Sequence, residues 1–315
     1  MLNINTEFEI MKTNLFIVGA MKAGTTALYE SLIKNPRVEG GEIKEPNFFA
    51  KDFIDYECFD RKYKEHSIGV GSGNEHIAYL GDINEYVNNY AKVDVLETDY
   101  LIDASVSYLY FKESAKLLQL YNDSSKIIIC LREPVARAFS HYKMDVAIGR
   151  EKKGFEESFI ADKALRELNW GQKSFYYECG LYYDAVKEFI DVFGTENVVV
   201  VLQDKLKSKP SDVEDDLTAF LGFKVELINE NNNETLEPNF KYINYFIQMG
   251  GIKSFLKRIV PGSIKLKLKK WYYSKPKKEC ELELFKYLYR DDVSKLATLL
   301  SIDLLALWGY KDRNE

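Results

Sequence analysis

Two short segments of this 315-residue chain combine residue types that grip phosphate. The first, Gly19-Ala20-Met21-Lys22-Ala23-Gly24-Thr25-Thr26, follows an apolar run from Asn14 to Val18 and precedes a helically spaced stretch from Thr25 to Ile33. A glycine loop between strand and helix gathers free backbone N–H groups and the positive end of a helix dipole, which favours an anion. Its glycines keep the G-x4-G spacing of a Walker A loop, but Thr25 stands where that loop carries its lysine, and Lys22 lies inside the loop. A lysine so placed can cover a 5′-phosphate and the bridging oxygen that gains charge as a group departs. The second segment runs from Leu131-Arg132-Glu133-Pro134 through Arg137 and Ser140 to Tyr142. Arg132 comes off the end of a β-rich run, Lys126 to Leu131, and Ser140 lies two helical turns on, a spacing that sets a guanidinium and a hydroxyl around one phosphate. Arg137 is read as a structural ion-pair partner.

These segments resemble the boxes of the sulfotransferases that use 3′-phosphoadenosine 5′-phosphosulfate (PAPS): a GxxKxGTT loop for the 5′-phosphosulfate and LRxPxxRxxSxY for the 3′-phosphate. The likeness is nearest to the bacterial enzymes and to the glycosaminoglycan sulfotransferase domains of heparan sulfate modification, and runs from about Asn14 to Tyr310. It implies that Lys22, Ala23, Gly24, Thr25 and Thr26 hold the 5′-phosphosulfate, that Arg132 and Ser140 hold the 3′-phosphate, and that PAP is the product.

Sulfuryl transfer to a hydroxyl needs positioning, charge stabilisation and a proton acceptor. Lys44-Glu45-Pro46-Asn47-Phe48-Phe49 offers a carboxylate beside a lysine, a proline and two aromatics. It is similar to the KEPxFF segment that carries the catalytic glutamate of glycan sulfotransferases, which places the base at Glu45, with Lys22 stabilising the leaving phosphate. Asp103-Ala104-Ser105-Val106-Ser107-Tyr108 resembles the family's acidic-x-Ser-Pro-x-Tyr segment, with Val106 in place of the proline. Asp103 then supports Lys22 or an acceptor hydroxyl, or is a rival base; Lys44, Asp103 and Ser105 are the candidate acceptor contacts. Gly180-Leu181-Tyr182 resembles the family's GxY start of a helix behind the site, with Tyr182 structural. His66 and His76 fall in a polar insertion and His141 inside the 3′-phosphate helix, so none matches the catalytic histidine of small-molecule sulfotransferases. The disulfide-closed loop of the animal glycan enzymes has no counterpart, and adenine contacts are not carried over.

The elements that must position these groups alternate. Strands are expected at Asn14–Val18, Tyr100–Ala104, Lys126–Leu131 and Asn197–Leu202. Helices are expected at Thr25–Ile33, Val135–Ile148 with Pro134 in its first turn, Leu181–Phe193 closed by Gly194, 210–221 and 281–308. The alternation predicts an α/β, P-loop-like fold with a central parallel sheet flanked by helices and a helical C-terminal region. One sulfotransferase domain over 1–315 accommodates it, with a loose leader at 1–12, a polar insertion at 52–90 that ends in a short helix, and a linker and basic segment at 229–280.

A net charge of −6 argues against a dedicated nucleic-acid binder. From Lys241 to Lys278, however, eleven Lys or Arg occur without one Asp or Glu. That island is either a solvated face or a lip that attracts an anionic cofactor, an anionic glycan or a phospholipid surface. The 22 Tyr and 19 Phe suit a sugar-facing or nucleotide-facing groove and equally a core. Four cysteines without CxxC spacing and three histidines call for no metal, and Cys130 reads as a buried strand residue. Reduced thiols and the lack of a signal or spanning segment point to a cytoplasmic protein, soluble or peripheral to a membrane. The reading is therefore a PAPS-dependent sulfotransferase whose hydroxyl acceptor is a saccharide or glycolipid. Its rivals are a P-loop kinase or nucleotidase and a non-catalytic, anion-binding peripheral protein.

Overall fold

The computed structural model describes residues 12–58, 80–93, 98–147, 150–165, 169–228, 237–238, 273–274 and 279–310. All but the last residue of the leader, the centre of the 52–90 insertion and nearly all of the basic segment lie outside the described residues. Five strands form one all-parallel sheet: β1 (Leu15–Gly19), β2 (Val38–Gly40), β3 (Tyr100–Asp103), β4 (Lys126–Leu131) and β5 (Val198–Leu202), in the spatial order β2-β3-β1-β4-β5. The two central strands are apolar throughout because helices cover both faces: Leu15 to Val18 and Ile127 to Leu131 are wholly buried. Their register runs Phe16 to Ile127 and Ile17 to Ile128, then slips so that Gly19 faces Ile129. A Cβ at Gly19 would meet Leu109 Cβ at 2.7 Å, which leaves glycine as the residue that fits the end of β1.

After β1 the chain builds one half of the sheet, and then crosses to lay β4 and β5 on the other side. The connections leaving β1 and β4 diverge, which opens a crevice at the carboxyl ends of these neighbours, the place where open α/β sheets take ligands. Both phosphate-type segments begin there. The loop after β1 feeds α1 (Thr25–Leu32), and β4 feeds α4 (Pro134–Ala147). Further helices are α2 (Ile83–Asn88), α3 (Ser114–Tyr121), α5 (Phe155–Ala164), α6 (Tyr183–Phe193), α7 (Gln203–Ser208), α8 (Pro210–Leu221), α9 (Arg290–Leu300) and α10 (Leu304–Leu307).

The expected strands and helices are present with ends moved by a residue or two, and Gly194 closes α6. The short helix expected in the insertion is α2, started by Asp82, whose carboxylate accepts from the N–H groups of Asn84 and Glu85. One expectation is corrected. Residues 281–308 are not helical in α fashion throughout: Glu279–Leu288 is a 3₁₀ stretch ahead of α9 and α10. Leu282, Phe285 and Leu288 recur every three residues and pack on the core, the spacing that a three-residue turn aligns on one face. Among the described residues no helix is long and apolar enough to cross a membrane.

Candidate active site

The glycine loop turns twice through left-handed backbone, at Lys22 (φ 68°) and at Gly24 (φ 98°). For a lysine this costs on the order of 1–2 kcal/mol, so neighbouring contacts must hold it. They do so from both sides: Met21 N–H donates to the Tyr110 hydroxyl at 2.9 Å and Ala23 N–H to the Ala20 carbonyl at 3.1 Å. Arg132 Nη1 donates to the Lys22 carbonyl itself at 3.2 Å, and Ala20 N–H reaches the β4 carbonyl of Cys130 at 2.6 Å. Gly24 begins α1 with no side-chain cap, so the first-turn N–H groups of Thr25, Thr26 and Ala27 have no acceptor among the described residues. Ala23, expected among the donor-binding residues, is fully buried with its N–H already used, and shapes the loop instead of offering a group to a ligand.

Lys22 is half-buried, and Nζ lies 3.9 Å from Met144 Sδ. Burial, then the nearby Arg132 and Lys143, lower its ammonium pKa from the usual lysine value, while Asp145 and Glu45 work the other way. Arg132 is likewise half-buried, and burial acts against its charge. Among the described residues neither cation is in an ion pair. The strand ends thus carry two positive side chains joined through the Lys22 carbonyl. Ser140 sits on α4, about 9 Å along its axis from Pro134, and is 6% exposed.

Arg137 departs from the sequence reading. It is wholly buried and donates from Nη2 to the Tyr176 carbonyl at 2.5 Å, but Nε and Nη1 have no partner and no carboxylate pairs with it among the described residues. Its surroundings are Cys179, Tyr110, Tyr182 and Tyr289. His141 is buried and pushed down to about 3, chiefly by burial, which keeps its imidazole neutral. Cys130 is buried, with its thiol pushed up to about 12.

Glu45 lies near enough to Lys22 to act on its charge. Its Oε1 accepts from Lys44 Nζ at 2.9 Å, and the same ammonium donates to Thr26 Oγ1 at 3.2 Å and lies over the Tyr29 ring. The pair therefore ties the glutamate to the first turn of α1, with both side chains partly exposed, at 10% for Lys44 and 13% for Glu45. The following 3₁₀ turn, Phe48–Phe53, anchors the segment: Phe49 packs against Tyr86, Tyr108, Tyr121 and Phe16.

Asp103 and Ser105, expected as acceptor contacts, are 0% exposed. The Asp103 carboxylate takes hydrogen bonds from Tyr86 and Tyr108 hydroxyls at 3.0 and 2.7 Å and from Ser105 N and Oγ at 2.9 and 2.6 Å. Burial pushes its pKa up to about 6 against the pull of these bonds. With its oxygens occupied and no path to solvent, Asp103 is a support of the fold and not a rival base.

A sulfotransferase-domain family model matches residues 12–255 of the chain. The chain belongs to the sulfotransferase family. The expectation of a PAPS-dependent sulfotransferase drawn from the sequence is borne out at this level. Among curated relatives, this sulfotransferase is 25% identical over 213 residues to the human bifunctional heparan sulfate N-deacetylase/N-sulfotransferase 3, covering 65% of the chain and 22% of the relative. It is 24% identical over 210 residues to the mouse heparan sulfate glucosamine 3-O-sulfotransferase 3A1, covering 66% of the chain and 45% of the relative. The chain thus spans less than half the length of these relatives. A solved sulfotransferase from Alicyclobacillus acidocaldarius superposes with a TM-score of 0.66 at 26% identity, covering 95% of this chain and all of that one.

Several residues that shape this sulfotransferase's site gave little signal beforehand. Tyr110, which pins Met21, Met144 beside Lys22, and Leu206, 3.4 Å from where a Gly24 Cβ would stand, lie far from the loop in sequence. Asn47 and Ser107 sit inside quoted motifs, but only the fold shows them bonded to each other. The left-handed backbone of Asn47 (φ 53°) fits the preference of asparagine for that region and was a usable cue.

Proposed function

We propose that this sulfotransferase moves the sulfuryl group of PAPS to a hydroxyl of a saccharide or glycolipid by in-line displacement, with Glu45 as general base. One observation carries the reading: Lys22 and Arg132, at the ends of the two switch-point strands, are half-buried cations without an ion-pair partner among the described residues, beside an uncapped helix start. Such a site favours a ligand with phosphates at two ends. Bound there, PAPS supplies an activated sulfuryl group and a phosphate as leaving group.

In this reading the N–H groups of Thr25 and Thr26, with Gly24 giving room, hold the 5′-phosphosulfate, and Lys22 Nζ meets the oxygen from which the sulfuryl group departs. Arg132 and Ser140 hold the 3′-phosphate. Glu45 takes the acceptor's proton on Oε2, because Oε1 is engaged by Lys44. The saccharide class draws on the heparan sulfate relatives. It draws also on the half-buried aromatics Phe53, Tyr56 and Phe175, grouped in a small apolar cluster with Met21 and Met144, and so next to Lys22. Flat apolar faces of this kind suit a sugar ring or a lipid-linked sugar. The unbridged thiols of Cys130 and Cys179 support a cytoplasmic setting, and the Lys241–Lys278 island suits a peripheral contact with anionic lipid.

The test is transfer of radiolabel from PAPS to a panel of glycan, glycolipid and phenolic acceptors, with thermal melting in PAP and in ATP. Label in a glycan or glycolipid and stabilisation by PAP are expected. Stabilisation by ATP but not by PAP, without transfer to any acceptor, overturns the reading.

A further inference from the structure

We propose that Ser105, with Asp103 behind it, is a positioning residue that fixes the turn from which Glu45 acts, an inference that rests on the reading of Glu45 as base. The polarity of the chain of bonds is set by counting protons. Ser105 Oγ has one hydrogen, which goes to Asp103 Oδ1 at 2.6 Å, since an ionised carboxylate can only accept. A lone pair of that oxygen is left for the N–H of Asn47, at 2.9 Å. Asn47 is wholly buried and in left-handed backbone, so it reverses the chain directly after Glu45-Pro46. Its side chain is held at both ends: Oδ1 accepts from Ser107 Oγ at 2.6 Å, and Nδ2 donates to the Glu45 carbonyl at 2.7 Å. The Lys44 carbonyl is held as well, by Ala104 N–H at 3.3 Å.

Residues 103–107 therefore grip the base-bearing turn at the Lys44 carbonyl and at both backbone and side chain of Asn47, whose amide in turn holds the Glu45 carbonyl. The bonds of Ser105 to Asp103 and of Ser105 and Ser107 to Asn47 are buried, where an unmade one costs most, and that of Asn47 to Glu45 is part-buried. The free end of the arrangement is the Glu45 side chain, the one carboxylate of the set that reaches solvent. A base must be held within a fraction of an ångström of its working position, and this network does so without touching the donor loop's amides.

The experiment compares Ser105→Ala, Ser105→Thr, Glu45→Gln and the Ser105→Ala/Glu45→Gln double variant. The assay uses radiolabelled PAPS and whichever acceptor of the panel turns over fastest, with PAP affinity by calorimetry. Ser105→Ala is expected to lower kcat about ten- to a hundredfold while PAP affinity stays within about twofold. Ser105→Thr, which keeps the hydroxyl, is expected to restore most of the rate. In the Glu45→Gln background the same Ser105→Ala change should cost almost nothing more, because a group acting through Glu45 has nothing left to act on. Hydrogen exchange adds a readout independent of turnover: Ser105→Ala should speed exchange in 44–49 and leave 19–26 unchanged. If Ser105→Ala fails to fold, Ser107→Ala, which loses a single bond to Asn47, carries the same split at smaller size. Full turnover in Ser105→Ala with Glu45→Gln inactive overturns the positioning role alone. Full turnover in Glu45→Gln overturns the base itself. Parallel loss of kcat and PAP affinity reduces Ser105 to a general stability residue.

Discussion

Replacing Arg132 by alanine separates a 3′-phosphate grip from general loop support. The guanidinium is half-buried at the end of β4, has no carboxylate partner among the described residues, and gives one N–H to the Lys22 carbonyl, which leaves the rest of its fork for a ligand. Hydrogen bonds to charged groups contribute about 1.5–3 kcal/mol each, and a guanidinium can place two on one phosphate. Partial exposure screens part of this, so a loss of about 2–5 kcal/mol is expected, a weakening of roughly thirtyfold to a few thousandfold. Calorimetry with PAP and with adenosine 5′-monophosphate, which lacks the 3′-phosphate, distinguishes the two roles. Arg132→Ala should lose most of its preference for PAP over the monophosphate. If both nucleotides weaken by the same factor, the damage lies in the loop that Arg132 braces, and if neither weakens, the 3′-phosphate lies elsewhere.

Glu45→Gln should lower turnover by about 10²- to 10⁴-fold, with PAP affinity retained; a near-normal rate in a folded variant removes the base. Gly24→Ala places a Cβ in left-handed backbone (φ 98°), 3.4 Å from Leu206 Cδ1. It should lower the melting temperature by about 2–4 °C and weaken PAP binding; an unshifted transition would show that the loop tolerates the strain. Buried His141, pushed down to about 3 from the usual 6.5, is neutral in the folded protein where the unfolded chain binds a proton. Its contribution therefore makes stability fall as pH drops from about 6.5 toward about 3, by on the order of a few kcal/mol. Asp103, raised to about 6, contributes in the opposite sense between about 4 and 6. Urea denaturation of His141→Gln against the parent at pH 4 and 6.5 cancels that opposing part, and equal pH slopes in the two proteins would contradict a neutral buried imidazole.

The parallel sheet was legible because buried strands carry unbroken apolar runs such as Ile127 to Leu131, and the loops at their ends carry residue types with narrow uses. Lys22 and Arg132 could be picked out for the same reason, since each stands between a strand and a helix. Short elements were not legible. Val38–Gly40 has three residues and one buried side chain, too few for any period, and becomes a strand only through pairing with Tyr100–Ile102. Asp103 was misread because its type and motif fit a solvent-facing acid as well as a buried one; only the packing of Tyr86 and Tyr108 around it decides. Arg137 was misread in the same way, since sequence carries no information on which carboxylates a helix face will meet.

The two helix starts at the switch point are prepared differently, and the difference fixes how each end of a donor can be held. At α1 no side chain caps the first turn, so its N–H groups are left without an acceptor among the described residues. At α4 they are already used: Glu133 accepts from Val135 N at 3.0 Å and Ala136 N at 2.6 Å, and its backbone carbonyl accepts from Arg137 N at 2.8 Å. The helical tail locks this cap, with the Tyr310 hydroxyl donating to Glu133 at 3.0 Å, and braces the neighbouring strand end through Trp308 Nε1 on Asp204 at 2.9 Å. Asp292 of α9 caps α6, bringing Tyr182 to donate to the Arg132 carbonyl at 2.9 Å. In the proposed reading an anion beside α4 is therefore held by the side chains of Arg132 and Ser140, whereas one at α1 meets backbone. Side-chain substitution should accordingly weaken the α4 end far more than changes at Thr25 or Thr26 weaken the α1 end, where the amides survive any replacement but proline.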